Sequence, residues 1–408
     1  MVYPNNTKHY HSLDIVRGLA ALSVLLSHWG GWTIGFAGTT TQQIIGFFQY
    51  AFQLLLWGGG GIHPGVIIFI VLSGFCIHLP QAMAPDKLNR SGFWWIFALR
   101  RCSRILPVFW VGLLLGVISV WLMGFEYTSE MAHTGGNGQV INGDLLFSIS
   151  GISEIARFFG VTAPYPGNEP LSTVAVEMLL YASYPLFLFF HKRYGLAALV
   201  GFGLLMYSSI VWVRLLGVET SHLHGTWFEF VIYWIVGAVS AGVYAKRATK
   251  NNSALVKLAL LVAVTYLCYL SLITFVHIKG FHVVTTVLLA LLTGGMLIGL
   301  LTLESKLSQR QTKIVALMAL LGTRSYSLYV VHSPVIVTTL WFLSAHTTLP
   351  IFSYPLLTLM VVFIATELMF RFVEQPSHQY ARHWRQQEGL ILANGNIHQR
   401  TPASRDCH

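Results

Sequence analysis

Apolar runs of about 20 residues follow one another along most of the chain, separated by short polar breaks. Each is long enough to cross a bilayer as a helix. Ten are legible, at approximately 13–34, 62–82, 105–125, 171–190, 195–217, 227–245, 254–276, 283–303, 322–343 and 353–373. Backbone amides in lipid must find partners within their own segment, so continuous apolar runs spell helices, whereas a membrane barrel would alternate apolar and polar residues. The predicted fold is therefore all-α: a polytopic membrane protein, a bundle of about ten transmembrane helices.

Composition agrees. Only 10% of the 408 residues are charged and 54% are hydrophobic, against about 25% charged in a soluble domain; mean hydropathy is +0.62. Charge distribution then predicts orientation. With the N-terminus inside, all but Arg157, Arg214 and Lys279 of the 25 lysines and arginines fall on the cytoplasmic side. Both termini are thus expected in the cytoplasm. The basic residues are spread over many loops, which speaks against a nucleic-acid partner; membrane lipids are the expected one. The first apolar run follows a polar start and is too long for the core of a cleaved signal peptide. Cys76, Cys102, Cys268 and Cys407 fit neither a zinc pattern nor a disulfide framework. The glycine run at 58–61 lacks the Gly-Lys-Ser/Thr ending of a nucleotide loop.

Three segments fall outside the spans. Residues 42–57 are apolar and suit an outer interfacial helix or a short re-entrant piece. Residues 126–170 form the longest outer loop, carrying Glu126, Glu130, Asp144, Glu154 and Glu169 together with aromatics that suggest partial order over a cavity mouth. A membrane domain over 1–376 is expected to be followed by a polar cytoplasmic tail at 377–408.

Ionisable residues inside spans are costly and usually face a protein interior or wet cavity. The first span holds two, Arg17 and His28. Eleven helical residues separate them by about 16 Å, which puts Arg17 near one face and His28 near the middle. Histidine exchanges protons near neutral pH, although a buried histidine can also simply tie two helices together. Arg101 and Arg104, three apart on one helical face, present two guanidinium forks at the cytoplasmic surface. Such forks suit phosphate or pyrophosphate, and equally anionic lipid head groups. Glu177 lies one to two turns inside the fourth span, entered from outside, where a carboxylate can orient a sugar hydroxyl, tune a histidine or pair within the bundle. Glu229 and Glu367 read as structural partners. Ser325, Tyr326 and Tyr329 precede a second mid-span histidine, His332, as a polar stripe facing a bundle interior. His222, His224, His277 and His282 have no matching carboxylate or cysteine pattern, so no metal is expected.

In this order the pieces resemble the acyltransferase-3 family of integral membrane acyltransferases. Leu13-Asp14-x-x-Arg17-Gly18 with Arg17-x10-His28 is similar to its first-span motif. Gly65-Val66 through Leu72-Ser73-Gly74-Phe75 looks like its second-span signature. Arg101-x-x-Arg104-Ile105-Leu106-Pro107 resembles its arginine pair, and Val176-Glu177-x-x-x-Tyr181 its span-four motif. Ser325-Tyr326-Ser327-Leu328-Tyr329-Val330-Val331-His332 and Val373-Glu374-Gln375-Pro376 complete the likeness, over nearly all of 13–376. Ser172 and Thr173 depart from the family's usual Trp and Ser. The residues after 376 are too few for the soluble esterase-like domain that some members carry.

The resemblance implies an acyl-CoA donor on the cytoplasmic side, acetyl-CoA foremost, and a hydroxyl acceptor on a glycan or lipid-linked sugar. Arg17, Arg101 and Arg104 would hold the donor. His28 and Glu177 would be catalytic, with His28 either a general base for direct attack or a transient acyl carrier. Asp14, Ser325, Tyr326, Tyr329 and His332 would line the cavity. The implied location is a bacterial cytoplasmic (inner) membrane. From another class, a proton-coupled transporter or flippase for a polar lipid or sugar would also use intramembrane Arg, His and Glu, but no convincing repeat between halves supports it.

Overall fold

The computed structural model describes residues 10–36, 62–85, 88, 92–123, 149, 165–215, 226–247, 282–306, 313–350 and 353–382. Among these, no strand occurs. The helices are α1 (His11–Phe36), α2 (Pro64–Met83), α3 (Phe93–Met123), α4 (Leu171–Leu215), α5 (Trp227–Arg247), α6 (His282–Lys306), α7 (Lys313–Thr323), α8 (Ser325–His346) and α9 (Tyr354–Met369). A π-helical turn, Phe370–Glu374, extends α9.

Seven of the described helices are long and apolar enough to cross a membrane. Ten spans were expected, and the difference has three sources. Leu171–Ser209 counts once, although Gly195 breaks it with φ +84°, a left-handed conformation that favours glycine; the two halves match the separate fourth and fifth spans read from sequence. Helix α1 has ample length, 26 residues, but Asp14, Arg17 and His28 dilute its apolar character and it is not among the seven. The run at 254–276 lies outside the described residues, as do 42–57 and nearly all of 126–164.

Helix α3 also differs from expectation. The aromatic segment Phe93–Phe97 lies ahead of the span expected at 105–125 and was not assigned to it. It is instead the first turn of a continuous helix of 31 residues, which carries Arg101 and Arg104 about two to three turns in.

Close contact between backbones holds the bundle together, as expected where lipid supplies no hydrophobic drive between helices. Helix α2 packs on α5, α1 and α6, while α8 packs on α1, α3 and α9. A Cβ on Gly74 would strike the carbonyl of Trp234, and one on Gly237 that of Val71, so α2 and α5 touch backbone to backbone. Likewise, a Cβ on Gly18 would lie 2.7 Å from the Gly322 nitrogen, and one on Gly322 would strike the Asp14 carbonyl, which seats α7 against α1. The motif glycines Gly18 and Gly74 are therefore packing residues. Asn168 is fully buried, and its amide donates to the carbonyls of Gly112 and Val330 at 2.9 Å each, tying the entry of α4 to α3 and α8. The start of α1 is capped by Glu304 of α6, which accepts from the backbone of His11 (2.9 Å) and Ser12 (3.2 Å). This places a carboxylate at a helix N-terminus, where it is favoured.

Candidate active site

Five helices converge on one cavity of about 100 Å³. Arg17 comes from α1, Ser73 and Cys76 from α2, Arg101 and Arg104 from α3, Thr173, Glu177 and Tyr181 from α4, and Ser325, Tyr326 and Tyr329 from α8. The helix directions explain the convergence. Arg17 near the start of α1 meets Cys76 near the end of α2, while Gly65 at the start of α2 packs on Ala20 and Ser23 of α1. The two helices are thus antiparallel, and the same end of the bundle collects the arginines.

Each arginine is held differently. Arg17 pairs with Asp14 one turn back, at 3.2 Å, and donates to the Cys76 sulfur at 3.7 Å. The Arg101 guanidinium carbon lies 5.5 Å from the Phe97 ring centroid and 5.4 Å from that of Tyr181, within cation–π range. Its buried Nε has no hydrogen-bond partner among the described residues. Arg104 shares the Arg101 face of α3 and lines the same wall. Opposite, the Tyr181 hydroxyl donates to Glu177 and accepts from Ser73 at 3.0 Å. The Tyr326 hydroxyl donates to the Ile105 carbonyl at 3.0 Å, joining α8 to α3. Three guanidiniums around one small cavity make a site for an anion able to accept several hydrogen bonds.

Tyr329 closes the cavity on the other side. Its ring meets Phe69 edge-on at 5.4 Å and lies 5.7 Å from the ring of His332. Beyond it is a histidine pair. His28 Nδ1 and His332 Nε2 are 2.9 Å apart, with the rings only 18° from parallel. His332 is anchored to its own helix: its Nδ1 lies 2.8 Å from the Tyr329 carbonyl and 3.2 Å from that of Leu328. His63 is close enough to interact electrostatically with both histidines; it caps α2 by accepting from the Gly65 amide at 3.0 Å.

Of the residues singled out from sequence, Arg17, Arg101, Arg104, Glu177, Ser325, Tyr326 and Tyr329 line the one cavity. Two expectations change. Arg101 and Arg104 were read as forks on the cytoplasmic surface; because α3 runs unbroken through them, they form a wall inside the bundle. Glu177, expected one to two turns inside a span entered from outside, lines the same cavity as the arginines, with Tyr181 of its own helix against Arg101. Asp14, His28 and His332 are not on the cavity wall: Asp14 acts through Arg17, and the two histidines meet behind Tyr329. Glu367, read as structural, pairs with Arg324 and Arg371, each at 2.5 Å.

Sequence reasoning missed Ser73, Cys76, Tyr181, His63 and Glu374 as parts of this region. Ser73 and Tyr181 sat in quoted motifs, and their hydroxyls were the available signal. Glu374 is buried and accepts from the Ser327 amide (3.0 Å) and hydroxyl (2.5 Å), so it holds the first turn of α8, and with it Ser325 and Tyr326, in place. Among the described residues, no three His, Cys, Asp or Glu side chains are grouped to hold a metal ion; His222, His224 and His277 lie outside those residues.

Comparison with known proteins gives the arrangement its context. Over 348 residues, 78% of the chain, the sequence is 27% identical to YrhL of Bacillus subtilis, named provisionally as a peptidoglycan O-acetyltransferase, covering 51% of that protein. Over 398 residues, 90% of the chain, it is 25% identical to the peptidoglycan O-acetyltransferase OatA of Listeria monocytogenes, covering 56% of it. The chain therefore spans about half the length of the curated relatives it matches. No solved structure matches it. A family model described as an acyltransferase domain matches residues 10–369, and with the membrane-crossing helices already in place the chain belongs to the acyltransferase-3 family of integral membrane acyltransferases.

Proposed function

We propose that the protein is a membrane O-acyltransferase that moves a short acyl group, acetyl foremost, from acyl-CoA to a hydroxyl of an envelope glycan. The names of its relatives make peptidoglycan the first acceptor to test. The observation that carries the reading is the cavity itself: three arginines from two helices on one side, and Tyr329, backed by the His28–His332 pair, on the other.

The donor's diphosphate suits the guanidiniums of Arg17, Arg101 and Arg104. The cavity is small beside the roughly 300–1,000 Å³ of ordinary ligand clefts. It fits a slender group, so the acyl-pantetheine arm enters while the adenosine stays outside. The arm points the thioester past Tyr329 toward His28. As general base, His28 takes the proton of the acceptor hydroxyl; the oxygen attacks the thioester carbonyl, the C–S bond breaks and the thiolate of coenzyme A leaves. In the covalent route, the imidazole attacks first and the hydroxyl displaces it. Glu177 holds Tyr181 over Arg101 and so shapes the donor end. The orientation that suits this reading has the arginine end toward the cytoplasm, as the basic-residue asymmetry of the sequence suggests.

Purified protein in detergent, given labelled acetyl-CoA with peptidoglycan fragments, should release coenzyme A and label the glycan. Failure of every hydroxyl acceptor to accelerate thioester cleavage would overturn the reading.

A further inference from the structure

His332 has an acceptor at one ring nitrogen and a histidine at the other, and this fixes where protons sit across the pair. Its Nδ1 lies within hydrogen-bond distance of two backbone carbonyls, Tyr329 at 2.8 Å and Leu328 at 3.2 Å. Carbonyl oxygens only accept, so the Nδ1 of His332 carries a proton. In the neutral ring, Nε2 then has none. The Nε2 of His332 therefore accepts the 2.9 Å bond, and the Nδ1 of His28 donates it. The 18° angle between the rings keeps donor hydrogen and acceptor lone pair close to one plane. A neutral His28 with its proton on Nδ1 has its lone pair on Nε2.

We infer that His332 is a positioning residue that locks His28 in the tautomer with a lone pair on Nε2. The inference rests on the acyl-transfer reading for its purpose, since that lone pair serves both the general-base and the acyl-imidazole routes. When Nε2 takes up a proton, His28 becomes an imidazolium whose Nδ1–H still points at His332, and the second ring shares the positive charge across the bond. This is the logic by which an acceptor behind a catalytic histidine fixes its tautomer and steadies its charged form. The pair is held by α8, which supplies the carbonyl anchors, and among the described residues Tyr329 and His63 are titratable groups beside it.

The geometry makes a specific demand on substitutions. A glutamine amide reaches the position of a histidine Nε2, and its oxygen can accept from His28. An asparagine amide reaches only the position of Nδ1, so it keeps the carbonyl anchor and loses the bond to His28. His332→Gln should therefore retain kcat within about fivefold, whereas His332→Asn should lose roughly 10²- to 10⁴-fold in kcat with KM for acyl-CoA unchanged. Equal activity of the two variants, or loss in KM alone, would overturn the proposal. Nitrogen-15 spectra of histidine-labelled protein, assigned with His28→Ala, test the lock without any turnover. Wild type and His332→Gln should show His28 protonated at Nδ1, and His332→Asn a mixture of tautomers. A His28 protonated at Nε2 in wild type would overturn the lock, even if acyl transfer stands; a locked tautomer in a protein that transfers nothing would remove only its purpose.

Discussion

The two ends of α1 carry their polar chemistry in opposite ways. At Arg17, side chains from five helices surround a cavity, and the charged groups are held by one ion pair, a sulfur contact and aromatic faces. At His28, the polar group is bonded into a pair that is itself fixed to backbone carbonyls of α8. The first arrangement leaves Arg101 Nε without a hydrogen-bond partner among the described residues, which is costly unless a ligand answers it. The second specifies one proton arrangement. An open, cationic end suits binding; a closed, oriented end suits proton transfer.

The contrast breaks most sharply at His28. His28→Ala should leave a folded protein that binds acyl-CoA but transfers acyl groups roughly 10²- to 10⁴-fold more slowly. Rates of glycan labelling, set beside donor affinity measured calorimetrically, give both numbers; near-normal turnover would return the histidine pair to a merely structural tie between α1 and α8.

At the other end the loss should appear in binding. Arg101→Ala and Arg104→Ala should each weaken coenzyme A binding by about 1.5–3 kcal/mol, and lysine should restore only part of it, because it lacks the planar fork. Unchanged affinity in titration calorimetry would leave these residues as structural parts of the bundle wall.

The ends must also stay in register, and Gly322 tests that. Its missing Cβ lets α7 lie on the Asp14 backbone, so Gly322→Ala should destabilise the protein by about 1–3 kcal/mol through overpacking. A lowered unfolding midpoint in detergent would be the sign.

Much of this was legible in the sequence because it is local. Long apolar runs give helices whatever their neighbours, and Arg101 and Arg104 share a face by spacing alone. The motif resemblance also marked Arg17, Glu177, Ser325, Tyr326 and Tyr329 as site residues. What stayed hidden is tertiary. His28 and His332 are 304 residues apart, and no periodicity says that two mid-span histidines touch. Asn168 looked like a loop residue because its two carbonyl partners belong to other helices. Glu374 gave no local sign that it holds the start of α8. That Glu177 shares a cavity with the arginines was hidden for a related reason: hydropathy gives the depth of a residue along its helix, not the neighbours its side chain faces.

That carboxylate supplies the subtlest test. Were Glu177 part of an outer acceptor compartment, neutralising it would leave donor binding untouched. In the arginine cavity it competes with the donor's phosphates for the same guanidiniums. Glu177→Gln keeps an oxygen to accept from Tyr181 and removes one negative charge. At the separations and polarity of a small semi-buried site, a single charge is worth on the order of 1 kcal/mol. Coenzyme A should therefore bind a few-fold more tightly to Glu177→Gln than to wild type, with the difference shrinking as salt is raised. Transfer should fall at the same time if the carboxylate also orients Tyr181 over Arg101. Titration calorimetry at two ionic strengths measures the first effect directly. An affinity that does not move, together with a KM for the glycan that does, would put Glu177 back on the acceptor side and split the cavity between the two substrates.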